Sequence, residues 1–216
     1  MARYVDSHAH LDEVQGLEEA LRRAVSRGVV AVVTASSDPE SLHFALEAQS
    51  RFKEPRVFAA VGLHPWSLQD PGLDVEAALH LVEAKLGEAV ALGEVGLDYW
   101  LPGARKEGDV RRLQRDVFAR QLRMAREAGK PVVVHSRGAW RDCLEMVKEA
   151  GVEALFHWFS GPLDVLRELL YVGPDEAKVV ALRKRGDDVL THREYSLDEL
   201  EKLFNSGQDA RKLLAS

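Results

Sequence analysis

The sequence is poor in several residue types, and each shortage excludes something. Isoleucine is absent, asparagine occurs once (Asn205), threonine twice (Thr34, Thr191) and cysteine once (Cys143). A single cysteine rules out an intramolecular disulfide and any cysteine-rich zinc module, and it suits a reducing compartment. No apolar run reaches the roughly 18 residues that a membrane helix requires. Met1-Ala2-Arg3-Tyr4-Val5-Asp6 passes straight into polar chemistry, so no signal peptide is expected and a cytoplasmic location is. Excess positive charge is missing too: the formal net charge is −6. A protein that grips nucleic acid mainly by neutralising phosphates is usually basic, so any such role must be local, through metal or a small arginine cluster. Scarce asparagine beside abundant Arg and Glu fits a thermophile or a biased genome equally well.

What is present is a regular alternation of short apolar runs and helical patterns across 216 residues. Strands are expected at Arg3–His8, Val29–Thr34, Arg56–Val61, Glu88–Gly93, Pro131–His135 and Val152–His157. Helices between them have readable ends. Gly28, Gly129 and Gly151 stop three of them, and Asp38-Pro39 opens another as N-cap and first-turn proline. Beyond His157 a helix over Pro162–Leu169, a strand at Leu170-Tyr171-Val172, a helix over Asp175–Lys184 and a strand at Asp188–Thr191 are expected. Ser196-Leu197-Asp198-Glu199 reads as a capping box. Strands separated by single helices mean βα units and a parallel sheet. The expected architecture is one α/β domain over residues 1–216, a compact (β/α)8 TIM barrel.

Polar residues cluster where such a barrel does chemistry. Asp6, His8 and His10 share one face by the two-residue strand period. Glu94, His135 and His157 each close an apolar run, and barrel active sites are built at strand C-termini. Five of the eight histidines (His8, His10, His64, His135, His157) fall at or just past a strand end. His43, His80 and His192 do not. Imidazoles plus one carboxylate can hold two divalent ions with the carboxylate bridging them. Mg, Mn, Zn and Fe all fit that donor set to some degree.

The residues Val5-Asp6-Ser7-His8-Ala9-His10-Leu11-Asp12 resemble the opening motif of the TatD-type metal-dependent deoxyribonucleases. The similarity continues through Gly62-Leu63-His64-Pro65, Gly93-Glu94-Val95-Gly96-Leu97-Asp98-Tyr99, Pro131-Val132-Val133-Val134-His135-Ser136-Arg137 and Phe156-His157-Trp158-Phe159-Ser160-Gly161. The resemblance implies a (β/α) barrel of the metallo-dependent hydrolase group. His8, His10 and Glu94 would then hold one ion, and Glu94, His135 and His157 the second. The implied reaction is two-metal hydrolysis of phosphodiester bonds in single-stranded DNA or at its 3′ ends, with no obligate protein partner. Hydrolysis of a small amide, lactone or phosphoester is the alternative, and a catalytically impaired metal-binding scaffold is another.

Two departures from the family pattern stand out. Its last-strand Leu-Glu-Thr-Asp-x-Pro motif is missing; His192, after Asp188-Val189-Leu190-Thr191, stands where the aspartate is expected, with Asp187 and Asp188 as other donors. Glu94 and His192 are therefore the expected catalytic pair. Gly138 replaces the aspartate that usually follows Ser-Arg. The motifs end near residue 162, leaving 54 residues (216 − 162) for two βα units, so a shortened C-terminal third is expected. Substrate contacts are expected from His64, Arg137, Trp66 and Trp100. Trp140 and Trp158 also follow strands, and at least two of the four tryptophans are expected to plug the barrel mouth. Arg105, Lys106, Arg111 and Arg112 read as a solvated loop and helix start. Cys143 reads as packing, and Asp12 and Asp98 as supports for the ligands.

Overall fold

The computed structural model describes residues 3–170, 179–180 and 194–195. Two compact units divide the chain, Met1–Phe159 and Ser160–Ser216. In the first, strands β1 (Tyr4–Ala9), β2 (Val29–Ala35), β3 (Arg56–Val61), β4 (Ala91–Asp98), β5 (Val132–Arg137) and β6 (Ala154–Phe156) form one sheet in chain order. Every pairing is parallel. Helices α1 (Leu17–Ser26), α2 (Pro39–Arg51), α3 (Val75–Lys85), α4 (Asp109–Ala128) and α5 (Trp140–Ala150) make the crossovers. Each crossover steps to the next strand in the same direction. With right-handed connections, that places all five helices on one face and curls the sheet, as in the α/β barrel class. A doubly wound sheet would reverse its strand order partway.

Local sequence explains the element ends. Asp38 Oδ1 accepts the Ser41 N–H at 2.8 Å while Ser41 Oγ accepts the Asp38 N–H at 3.0 Å, a reciprocal cap with Pro39 in the first turn of α2. Gly129 and Gly151 end α4 and α5 in the left-handed conformation. The main core lies between sheet and helices, where Val61, Leu92, Leu97, Phe118, Leu122 and Val134 are buried.

β4 differs most from expectation. It runs from Ala91 to Asp98 rather than ending at Gly93, and all eight of its residues are buried. Two glycines and two carboxylates interrupt its apolar pattern, which hides a central strand from hydrophobic periodicity. Gly96, at φ +141°, is required by the neighbouring strand: a Cβ there would lie 2.0 Å from the His135 carbonyl oxygen. β5 likewise runs past His135 to Arg137, so Glu94 and His135 lie within strands rather than after them.

In the second unit, α6 (Leu163–Leu170) matches the expected helix but takes in Leu170, which was expected to start a strand. The short strands β7 (Val179–Val180) and β8 (Glu194–Tyr195) pair antiparallel with each other. Val179 and Val180 were expected within a helix; two β-branched residues in succession favour the extended chain. The expected strand at Asp188–Thr191 and the capping box at Ser196 lie outside the described residues, as do Asp187 and His192. Six strands of the eight expected therefore make up the parallel sheet among the described residues. No helix among those residues is long and apolar enough to cross a membrane.

Candidate metal centre

Five histidine side chains from four segments converge on Glu94, which β4 holds at 2% exposure. Its Oε2 faces β1: His8 Nε2 and His10 Nε2 each lie 3.1 Å away. Its Oε1 faces the other side, with His157 Nε2 at 2.5 Å, His135 Nδ1 at 2.9 Å and His64 Nε2 at 3.6 Å. His10 lies one residue beyond β1 and His157 one beyond β6, so both still meet the carboxylate from strand ends. The backbone is pinned as well: Glu94 N–H donates to the Ser36 carbonyl at 3.0 Å.

Burial pushes the Glu94 carboxyl up, but hydrogen bonds from His10, His135, His157 and His64 outweigh it and hold it well below the usual carboxylate range. The imidazoles divide in the same field. The bond to Glu94 pushes His10 up. Burial opposes charge on His135, yet its contacts with Asp98 and Glu94 prevail and raise it. Burial lowers His8 and His64.

His8 bears most directly on whether these residues suit a cation. Both of its ring nitrogens are buried, and neither completes a hydrogen bond among the described residues, although Nε2 is within ion-pair distance of Glu94. An orphaned buried imidazole is costly unless its lone pair meets something else. The donor set fits a divalent cation. His8, Glu94 and His157 each bring one donor atom within 4.8 Å of the others. His64, Glu94 and His135 do the same. His64, however, accepts the Trp66 N–H on Nδ1 at 3.1 Å. A neutral ring then carries its proton on Nε2, which makes His64 a hydrogen-bond donor towards the centre rather than a lone-pair donor.

Asp98, four residues along β4, is the second buried carboxylate. Its Oδ2 meets His135 Nε2 at 3.1 Å and accepts the Trp66 indole N–H at 2.7 Å, and its Oδ1 accepts the Trp100 N–H at 2.9 Å. Burial raises its carboxyl, but those bonds lower it further than burial raises it. Asp98 thus fixes the His135 ring and one tryptophan at once, the supporting role expected of it.

Two residues that sequence reasoning overlooked set the frame. Gln114 and Gln121 of α4 are buried. Gln114 accepts the Asp98 N–H and donates to the Asp98 carbonyl, at 3.0 and 3.1 Å. Gln121 does the same for Leu63, at 2.8 and 3.0 Å. The available signal was a pair of amides on the apolar stripe of α4, beside Val117, Phe118, Leu122 and Ala125.

The tryptophans depart from expectation. Trp66, Trp100 and Trp158 are 50%, 51% and 70% exposed, so they do not plug the barrel mouth. Polar anchors hold two of them at the surface: Trp66 bonds to Asp98, and Trp100 carries the Arg137 guanidinium 4.8 Å from its ring centre. Arg137 Nη1 is 3.9 Å from Asp98 Oδ2. Cys143 is fully buried, and burial pushes its thiol up, in keeping with a packing role.

Comparison with known proteins agrees with this architecture. The chain is 33% identical over 172 residues to the uncharacterized metal-dependent hydrolase YabD of Bacillus subtilis, covering 76% of this chain and 64% of that one. It is 32% identical over 176 residues to the uncharacterized metal-dependent hydrolase TatD of Mycobacterium tuberculosis, covering 78% and 66%. With the human deoxyribonuclease TATDN3 it shares 31% over 180 residues, covering 78% and 65%. The chain therefore spans about two thirds of the length of these relatives. The crystal structure of YJJV, a TatD homologue from Escherichia coli, superposes with a TM-score of 0.70 at 19% identity, covering 99% of this chain and 94% of that one, which shows a shared fold. The family model for TatD-related DNases matches residues 5–200, nearly the whole chain, and the chain belongs to that family.

Proposed function

We propose that the chain is a divalent-metal-dependent phosphodiesterase acting on DNA. The observation that supports this most is the division of imidazoles between the two oxygens of one buried carboxylate, His8 and His10 on Oε2, His135 and His157 on Oε1. In this reading His8, His10 and Glu94 hold one ion, and Glu94, His135 and His157 hold the other. When bound, such ions lower the pKa of a water and offset charge on phosphoryl oxygens. The deoxyribonuclease name of the human relative favours DNA over other phosphodiesters.

The protein's own groups supply position and specificity. His64, with its proton fixed on Nε2, donates to an oxygen at the centre without competing for the ions. Asp98 keeps His135 and Trp66 in place. Arg137, half-exposed beside the cluster, offers its planar fork to a phosphate. Trp66 and Trp100 present aromatic surface on which a base can stack, worth about 1–3 kcal/mol per base.

The test is hydrolysis of end-labelled single-stranded DNA by protein loaded with Mg²⁺ or Mn²⁺, alongside metal analysis. Shortening of the strand that disappears in Glu94→Gln is the expected result. Metal-loaded protein that leaves DNA intact overturns the DNase reading, and turnover of esters or lactones instead would move the assignment to a small substrate.

A further inference from the structure

Next to the imidazole cluster lies a cavity of about 570 Å³, lined by Tyr99, Trp100, Arg105, Arg111, Arg137 and Gly138. Three of those six residues are arginines and none is acidic. Arg105, in the loop before α4, and Arg111, in the first turn of α4, are fixed largely by uncharged groups. Arg105 Nε donates to the Trp100 carbonyl at 3.3 Å. Arg111 donates from Nε to the Ala104 carbonyl at 2.6 Å and from Nη2 to the Arg105 carbonyl at 3.1 Å. Carbonyls orient a guanidinium without neutralising it. Arg111 also lies 3.9 Å from the Tyr99 ring centre. Its acidic neighbour Glu107 is 3.5 Å away and 61% exposed, a screened pair. Asp98, the acid near Arg137, is already bonded to His135, Trp66 and Trp100. In a chain of net charge −6 this is a local concentration of positive charge.

Gly138 makes the cavity possible. It sits at φ +71°, and a Cβ there would lie 2.5 Å from Trp100 Cδ1 and 2.6 Å from Trp100 Nε1. The indole rests against bare backbone. An aspartate at this position would displace Trp100 and place a carboxylate among the arginines. Of the arginines expected in a solvated loop and helix start, Arg105 and Arg111 line the cavity, while the exposed Arg112 pairs with Asp109.

We propose that this cavity binds a second phosphate of a single-stranded DNA substrate, adjoining the phosphate that Arg137 holds at the imidazole cluster. Arg105 and Arg111 are its donors, and Trp100 forms the wall between the two positions. The proposal rests on the phosphodiesterase reading and adds to it that a strand with several phosphates is preferred over a single phosphoester. Arginine forks suit this role, since they meet phosphate oxygens pairwise.

Arg105→Gln and Arg111→Lys are compared with the unaltered protein in two measurements. The first is hydrolysis, with Mn²⁺, of a short oligothymidylate and of bis(p-nitrophenyl) phosphate, which carries one phosphate. Arg105→Gln should raise KM for the oligothymidylate about tenfold, a loss of ~1.4 kcal/mol in binding. It should leave kcat, and both constants for the single phosphodiester, unchanged. Arg111→Lys keeps the charge and should lie between the two. The second is anisotropy of fluorescein-labelled oligothymidylate in EDTA across a salt series. There the slope of log K against log salt should shallow by roughly 0.7 in Arg105→Gln, the value for one lost phosphate contact on a single strand. Equal KM and equal salt slopes in variant and unaltered protein overturn the proposal, as does absence of oligothymidylate binding in EDTA. An arginine-dependent slope without DNA hydrolysis would sink the phosphodiesterase reading and leave the anion cavity standing. Hydrolysis indifferent to both substitutions would do the reverse.

Discussion

The imidazole cluster and the arginine cavity beside it are opposite solutions to holding anions. In the first, Glu94 at 2% exposure is surrounded by histidines that all face its two oxygens from inside the protein. In the second, guanidiniums are held by backbone carbonyls at the surface. The buried cluster is position-critical, because every ring shares one carboxylate with the others. The cavity is a sum of separate contacts. Substitutions should therefore act all-or-none in one region and gradually in the other.

The largest effect is expected at the shared carboxylate. Glu94→Gln should remove metal uptake and lower turnover by roughly a thousandfold, about 4 kcal/mol of barrier. Added Mn²⁺ should raise the Tm of the unaltered protein and leave that of Glu94→Gln unchanged, since only a ligand bound to the folded state stabilises it. A variant that keeps both would break the comparison, because the carboxylate would then not be the common partner. Gly96→Ala comes next. With its Cβ driven onto the His135 carbonyl, it should cost about 3 kcal/mol of stability, read from denaturant midpoints.

If His135 binds metal as proposed, Asp98→Asn should leave the fold intact yet reduce metal affinity by ~10–100-fold, the usual consequence of releasing a ligand's outer hydrogen bond. Calorimetric titration with Mn²⁺ would show it, and unchanged affinity would mean that packing alone orients His135. Gln121→Leu leaves the Leu63 N–H and C=O without partners in a buried place and should cost about 1–3 kcal/mol in chemical denaturation. The smallest expected effect lies in the cavity, where Arg105→Gln changes strand binding alone.

The sequence made six of the strands readable because Val, Ala, Leu and Phe runs alternate with helices, three of which stop at glycine. The bounds of β4 were not readable. Gly93, Glu94, Gly96 and Asp98 interrupt its apolar pattern because the strand both touches β5 closely and carries the two carboxylates of the site. The histidines announced themselves by residue type at strand ends, and the structure brings His8, His10, His64, His135 and His157 to Glu94. Which histidine offers a lone pair and which a proton was not legible, because it depends on a single bond from the Trp66 backbone to His64. The arginine cavity was hidden for a related reason. Charged loop residues look solvated until their carbonyl partners and the bare backbone of Gly138 are seen together.

Gln114 and Gln121 stand seven residues apart, almost two turns of α4. One ties the helix to the end of β4, the other to the segment between β3 and the His64 turn. The helix therefore works as a ruler between a strand end and a loop that are far apart in sequence. A single residue inserted between the two glutamines would swing one of them by ~100° and release the backbone it holds. The same insertion before Asp109 would lengthen a connection without moving either amide. The length of α4 between positions 114 and 121 is thus as much a part of the site as any histidine, and insertions should be tolerated on one side of Gln114 and rejected on the other.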